Sequence, residues 1–239
     1  MKNLLKYGEN MFVSKHSKFI LTPITEVIKE ACIATKGFSP GIENYPIEEY
    51  IMHSLFLKMT GFQEQKGKCL SWDVATNDYE YRHEYFPKIT GEYSSIADKN
   101  NLCKFIIKAI TNQERKVNFD KNAIIRECQN EICTLLKQSN LIHNRHSDFS
   151  WLESTNFSFY EDFLPRQNIL IKENTPLYND YTQLYRERNR CAHNLRSYQE
   201  NTPKLSILSK NQKSNFFYFF FILDLIDHVY IELFKTISK

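Results

Sequence analysis

Tyr185-Arg186-Glu187-Arg188-Asn189-Arg190-Cys191-Ala192-His193-Asn194 gathers three arginines, a histidine and two asparagines late in the chain. Arg188 is followed at once by Asn189, and His193 comes five positions after the arginine. A guanidinium keeps its charge and forks onto phosphate oxygens. An imidazole gives or takes a proton near neutral pH. Together they are a minimal kit for breaking a phosphodiester bond without a metal. Just upstream, Thr175-Pro176 supplies a helix N-cap and a proline at the first helical position. Leu177, Tyr178, Tyr181, Leu184 and Tyr185 then recur at helical spacing, so the stretch sits on an amphipathic helix.

Asn189 lies four residues before His193, on the same helical face, where it can orient the imidazole. Residues 182 to 213 carry Arg186, Arg188, Arg190, Arg196, Lys204, Lys210 and Lys213 against only Glu187 and Glu200. That local excess of positive charge suits a polyanion. One geometric constraint applies. Five residues of ideal helix turn a side chain through about 140°, so Arg188 and His193 face different directions. They converge only if the helix ends between them or if a second copy of the chain completes the site.

Outward from this stretch the chain reads as helical throughout. Only 6 glycines and 7 prolines in 239 residues disfavour a turn-rich β architecture. Lys15 to Thr35 reads as one helix through Ile20, Ile24, Val27, Ile28 and Ala31. Pro46 opens a second, with Glu48 and Glu49 near its positive end, running to about Gly61. Phe62 to Tyr93 has no decisive period and reads either as continued helix or as an aromatic-rich connection. Ile96 to Asn112 is a helix, and Asp120 caps the next, whose buried face is Ile124, Ile125, Cys128, Ile132, Cys133, Leu135 and Leu136. Asn140 to Asn174 reads as a long connection packed by Trp151, Phe157, Phe159, Tyr160 and Phe163. Ser214 can cap a last helix rich in Phe217, Phe220, Phe221, Leu225, Tyr230, Leu233 and Phe234. The expected fold is all-α, about six helices in a single domain over residues 1–239, or a helical part at 1–94 followed by a bundle at 95–239.

Composition bounds the function classes. A net charge of +3 does not mark the whole chain as nucleic-acid binding, although a local basic face stays open. Cys32, Cys69, Cys103, Cys128, Cys133 and Cys191 form no Cys-x-x-Cys and read as reduced core thiols. The apolar run Phe216 to Leu223 is far shorter than the ~20 residues of a membrane span, and no signal peptide is evident. A cytoplasmic protein without membrane association is expected.

Other candidates are weaker. The isolated glycines form no phosphate-cradling loop. His143-x-x-His146 has no third ligand at a recognisable spacing and reads as solvated polar residues. Asp224, Asp227 and His228 read as a solvated or hydrogen-bonded face, because Asp227 and His228 are neighbours that point apart. Lys99, Lys104 and Lys108 read as a solvated face.

The stretch Arg188-Asn189-x-x-x-His193, with Tyr185 ahead of it on a late helix, resembles the R-x4–6-H signature of HEPN domains, in which a polar residue often follows the arginine. The resemblance covers the C-terminal part, residues 95 to 239. It implies a HEPN-type helical bundle with an additional helical N-terminal part. It also implies a metal-independent endoribonuclease with no cofactor, acting as a homodimer whose two motifs build a composite active site. Arg188, His193 and Asn189 would be catalytic; Arg186, Arg190, Arg196 and Tyr185 would contact RNA. Family members serve as toxins, phage-defence factors and CRISPR effectors, so an antitoxin or regulatory partner is a further expectation. A second reading is a non-catalytic HEPN-like scaffold that binds a partner protein or RNA. Its support is the large N-terminal part and the aromatic final helix.

Overall fold

The computed structural model describes residues 15–39, 41–89, 91–160, 163, 169–193 and 215–238. They form helices α1 (Lys15–Leu21), α2 (Thr25–Thr35), α3 (Tyr45–Asn77), α4 (Ile96–Asn112), α5 (Lys121–Lys137), α6 (His146–Ser154), α7 (Pro176–His193) and α8 (Phe216–Ile237), and no strand among the described residues. The all-α expectation is met.

The axis of the fold is α8. Phe216, Phe217, Phe219, Phe220, Phe221, Ile222 and Leu223 are all buried, so the helix is apolar around its whole circumference. A helix of that kind has to be enclosed. It is packed by α1, α3, α4, α5, α6 and α7. Asn215 supplies its N-cap, with Tyr218 N donating to Asn215 Oδ1 at 3.1 Å. The cap thus falls one residue after Ser214, which lies outside the described residues.

Helix α3 runs past Gly61, so of the two readings of Phe62 to Tyr93 the continued helix holds as far as Asn77. Pro46 does sit in its first turn. The buried stripe then continues through Phe56, Met59, Gln63, Lys66, Leu70 and Val74, and packing against α8 carries the helix to Asn77. A helical glycine costs only about 1 kcal/mol, which such packing outweighs. Gly67 is useful there: a Cβ would stand 3.2 Å from the Tyr93 ring, so its absence allows the close approach. After α3 the chain makes a π-helical turn at Tyr81–Tyr85 and a 3-10 turn at Phe86–Lys88.

The reading of Lys15 to Thr35 as one helix also needs correction, because the chain breaks around Pro23 into α1 and α2. Proline lacks the N–H that would continue the ladder. The freed groups are captured from elsewhere: Ile24 N donates to Asp227 Oδ2 (2.9 Å), and Thr22 O accepts from Lys66 Nζ (2.7 Å). The expected connection from Asn140 to Asn174 is more regular than its polar sequence suggests. It holds a 3-10 turn at Asn140–Arg145, α6, and another turn at Phe157–Tyr160. Phe157, Tyr160 and Phe163 are buried there, whereas Phe159 is exposed. Helices α4, α5 and α7 start as read, with Asp120 Oδ1 capping Ala123 N at 3.0 Å and Thr175 Oγ1 capping Tyr178 N at 3.3 Å.

All six cysteines are free and buried, as their scatter suggests. Among the described residues no helix is long and apolar enough to cross a membrane.

Lys104 and Lys108 are exposed, but Lys99 is not the solvated lysine it was expected to be. It is 1% exposed, in register with Leu102, Cys103 and Ile106 on the buried face of α4. Its Nζ donates to Tyr93 O at 3.0 Å and lies over the rings of Tyr181 and Tyr230. Burial pulls its ammonium down to about 8, against the opposing charge of Glu64. An unfolded lysine titrates near ~10.4. Between those values the unfolded chain binds the extra proton, so stability from this group rises with pH and the penalty is greatest below about pH 8. Lys99→Met is therefore expected to gain about 1–3 kcal/mol over wild type at pH 7. Urea unfolding at pH 7 and pH 10 measures the gap, which should shrink at the higher pH; a gap independent of pH contradicts the assignment.

Candidate functional site

Tyr185 to His193 of the quoted stretch form the last two and a half turns of α7, which is helical without a break through His193, while Asn194 lies outside the described residues. Of the two ways to bring Arg188 and His193 together, a helix end between them is therefore not what the chain adopts. Leu184, Glu187, Arg188 and Cys191 recur at helical spacing on the side of α7 that meets α3. Leu184 and Cys191 are buried there. By the same spacing Arg186, Asn189, Arg190 and His193 share the opposite side. The motif is thus divided between an inner and an outer face.

Arg188 is tethered on the inner side. Its Nη2 donates to Glu64 Oε1 at 3.1 Å and to Oε2 at 3.4 Å, while Nη1 donates to Asn189 Oδ1 at 3.0 Å. The arginine side chain keeps 22% of its exposure and Glu64 16%. Asn189 therefore links the two faces: it sits on the side of His193 and holds the guanidinium of Arg188. Glu64 was not singled out by sequence reasoning, because it lies 124 residues from Arg188. A carboxylate next to the core stripe position Gln63 on α3 was the signal available.

The remaining residues are placed as follows. Arg186 is exposed on the outer face. Tyr185 is half-buried and packs against the core. Arg190 is half-buried and holds Glu187 through Nε, at 3.0 and 3.1 Å to the two carboxylate oxygens, and through Nη2. His53 of α3 approaches the same group, and burial together with the charge of Arg190 holds its imidazole below the ordinary value. The His193 side chain and Arg196 lie outside the described residues. His143 and His146 do not converge as ligands: His143 Nδ1 pairs with Asn140 O at 3.1 Å, and His146 Nδ1 with Ser150 Oγ at 3.2 Å.

Of the two readings of Asp224 and Asp227, the solvated face is excluded, for both are fully buried, and the hydrogen-bonded one holds for Asp227, which accepts from Ile24 N and Lys66 Nζ. Asp227 pairs with Lys66, whose Nζ stands 2.6 Å from Oδ1 and 2.7 Å from Oδ2. His228, one quarter exposed, turns to Asp224 on its own helix at 3.7 Å.

The arrangement on α7 can grip a phosphate through Arg186 and the exposed part of Arg188 and Arg190. It presents them beside a histidine position at the end of the helix. Compared with known proteins, the chain matches no family model, no curated protein and no solved structure.

Proposed function

We propose that this protein is a metal-independent endoribonuclease of the HEPN type, acting as a homodimer. The observation that carries the reading is Arg188-Asn189-x-x-x-His193 on one uninterrupted late helix, among described residues that form helices and no strand, with the arginine already hydrogen-bonded to the asparagine. The substrate's 2′-OH attacks the adjacent phosphorus, the bond to the 5′-oxygen breaks, and a 2′,3′-cyclic phosphate and a 5′-hydroxyl result. DNA lacks the nucleophile. His193 moves the proton as general base or acid. Arg188 holds the phosphate and offsets charge that grows in the transition state. Asn189 fixes the guanidinium. Arg186, Arg190, Arg196 and Tyr185 contact the RNA strand. Because the two motif residues diverge around α7, each site takes its arginine from one protomer and its histidine from the other. A toxin or phage-defence effector restrained by a partner protein fits such an activity.

Purified protein incubated with RNA in EDTA tests the chemistry. Products ending in 2′,3′-cyclic phosphate, with DNA untouched, are expected. Cleavage that requires Mg²⁺ would falsify the mechanism.

One observation favours a second reading, a non-catalytic helical scaffold for a partner protein or RNA. The Glu64–Arg188 pair ties α7 to α3, as a purely structural arginine would. Under that reading Arg188→Ala weakens the fold and there is no RNA cleavage to lose.

A further inference from the structure

Asp224 is a buried carboxylate without hydrogen-bond partners. Its exposure is 0%, and neither Oδ1 nor Oδ2 receives a hydrogen bond among the described residues. A buried carboxylate in that state needs a cation beside it. Lys66 does not serve, because its Nζ is committed to Asp227 and Thr22 O; the charge is supplied either by the His228 imidazolium paired with Asp224 or by a metal ion bound to the same Nδ1. Two other groups converge on Asp224. His228 follows it by four residues on the same face of α8, with Nδ1 3.7 Å from Asp224 Oδ1. Cys128, on the buried face of α5, brings Sγ to 3.4 Å from the same Nδ1. The three ligand atoms all lie within 4.8 Å of one another.

We propose that Cys128, Asp224 and His228 form a binding site for a divalent transition-metal ion of the zinc class. In tetrahedral coordination, Zn–S near 2.3 Å and Zn–N or Zn–O near 2.0–2.2 Å put neighbouring ligand atoms about 3.3–3.6 Å apart. The observed 3.4 and 3.7 Å are close to those edges. A sulfur, an imidazole nitrogen and a carboxylate oxygen are the mixed donor set that zinc accepts and calcium or magnesium does not. Entry is through His228, the exposed member of the three. On binding, the Cys128 thiol proton leaves to solvent and the thiolate takes its place on the metal. The ion would join α5 to α8, a structural role that shares no residue with the Arg188 stretch.

A second cluster, His53, Glu187 and Cys191, also lies within ligand reach. Its carboxylate is already held by Arg190 Nε at 3.0 Å, so it lacks the unpaired acceptor that distinguishes the first. It serves as the control.

The test is Co²⁺ titration of the chelator-treated full chain, followed by displacement with Zn²⁺. One equivalent of Co²⁺ should develop the thiolate charge-transfer absorption and the intense visible bands of a tetrahedral site, and Zn²⁺ should abolish both. Cys128→Ser should lose the thiolate absorption, and Cys191→Ser should keep it. His228→Gln, at a partly exposed position, should weaken Co²⁺ binding at least tenfold, and it decides the question if Cys128→Ser fails to fold. Absence of thiolate absorption in folded wild type, its survival in Cys128→Ser, or unchanged affinity in His228→Gln overturns the assignment.

Discussion

Asp227→Ala is expected to destabilise the protein by about 3–5 kcal/mol, read by urea unfolding near neutral pH. The size follows from what the aspartate leaves behind. Asp227 and Lys66 are both 0% exposed, so the truncation strands an ammonium in the core. The same change deprives Ile24 N of its acceptor at the corner between α1 and α2. A buried unpaired backbone N–H adds a further 1–3 kcal/mol of desolvation, part of which water can recover by entering the space. Burial pushes the Asp227 carboxyl up to about 6 and pulls Lys66 down, each opposed by the other's charge. The pair is thus held together against the preference of both groups for water. Removing both charges should cost much less than removing one: Lys66→Met with Asp227→Leu is expected to recover most of the loss, leaving chiefly the unpaired Ile24 N–H and Thr22 O. Against a typical total of 5–15 kcal/mol, the single change threatens folding at 37 °C and the double does not. Equal losses in the single and double variants would show that the pair is not the source of the effect.

This network also marks what could and could not be read from the residues. The starts of α5 and α7 were legible because each has a local chemical cause: Asp120 and Thr175 cap their helices through bonds spanning three residues. The break at Pro23 was not, because Ile20, Ile24, Val27 and Ile28 keep helical spacing across it. What stabilises the corner comes from Lys66 and Asp227, 44 and 203 residues away. The extent of α3 beyond Gly61 is undecided by the sequence for a related reason. Gly61 looked like an end, while the buried stripe beyond it contains Gln63 and Lys66, polar residues that periodicity counts as solvent-facing. Lys99 was misread in the same way. Gln63 and Lys66 are satisfied by partners 160 and 161 residues away, whereas Lys99 donates to Tyr93 O six residues back; in all three the core register itself is the clue. The candidate site follows the pattern: Arg188, Asn189 and the helix that carries them are local, and Glu64 is not.

Exchange of either motif residue should remove RNA cleavage without unfolding the chain. His193→Ala is expected to lower the rate by about 10²–10⁴-fold, the usual contribution of a general acid or base. Arg188→Ala should lose about 10²–10³-fold, comparable to removal of one transition-state donor. It should also lose some stability, since Glu64 would be left half-buried without its partner. Arg188→Lys separates the catalytic reading from the scaffold. A lysine keeps the charge that Glu64 needs but cannot span Glu64 and Asn189 with two nitrogens of a rigid fork. Near-native stability with strongly reduced cleavage is therefore expected of the lysine variant. The division of Arg188 and His193 between two faces of α7 adds a sharper requirement. If each site combines the arginine of one protomer with the histidine of its partner, mixing inactive Arg188→Ala with inactive His193→Ala should restore activity. Random pairing makes half of the dimers mixed, and each mixed dimer rebuilds one of its two sites, so about a quarter of wild-type activity should return. A mixture as inactive as its components, under conditions where subunits exchange, means that the two residues do not meet across a dimer.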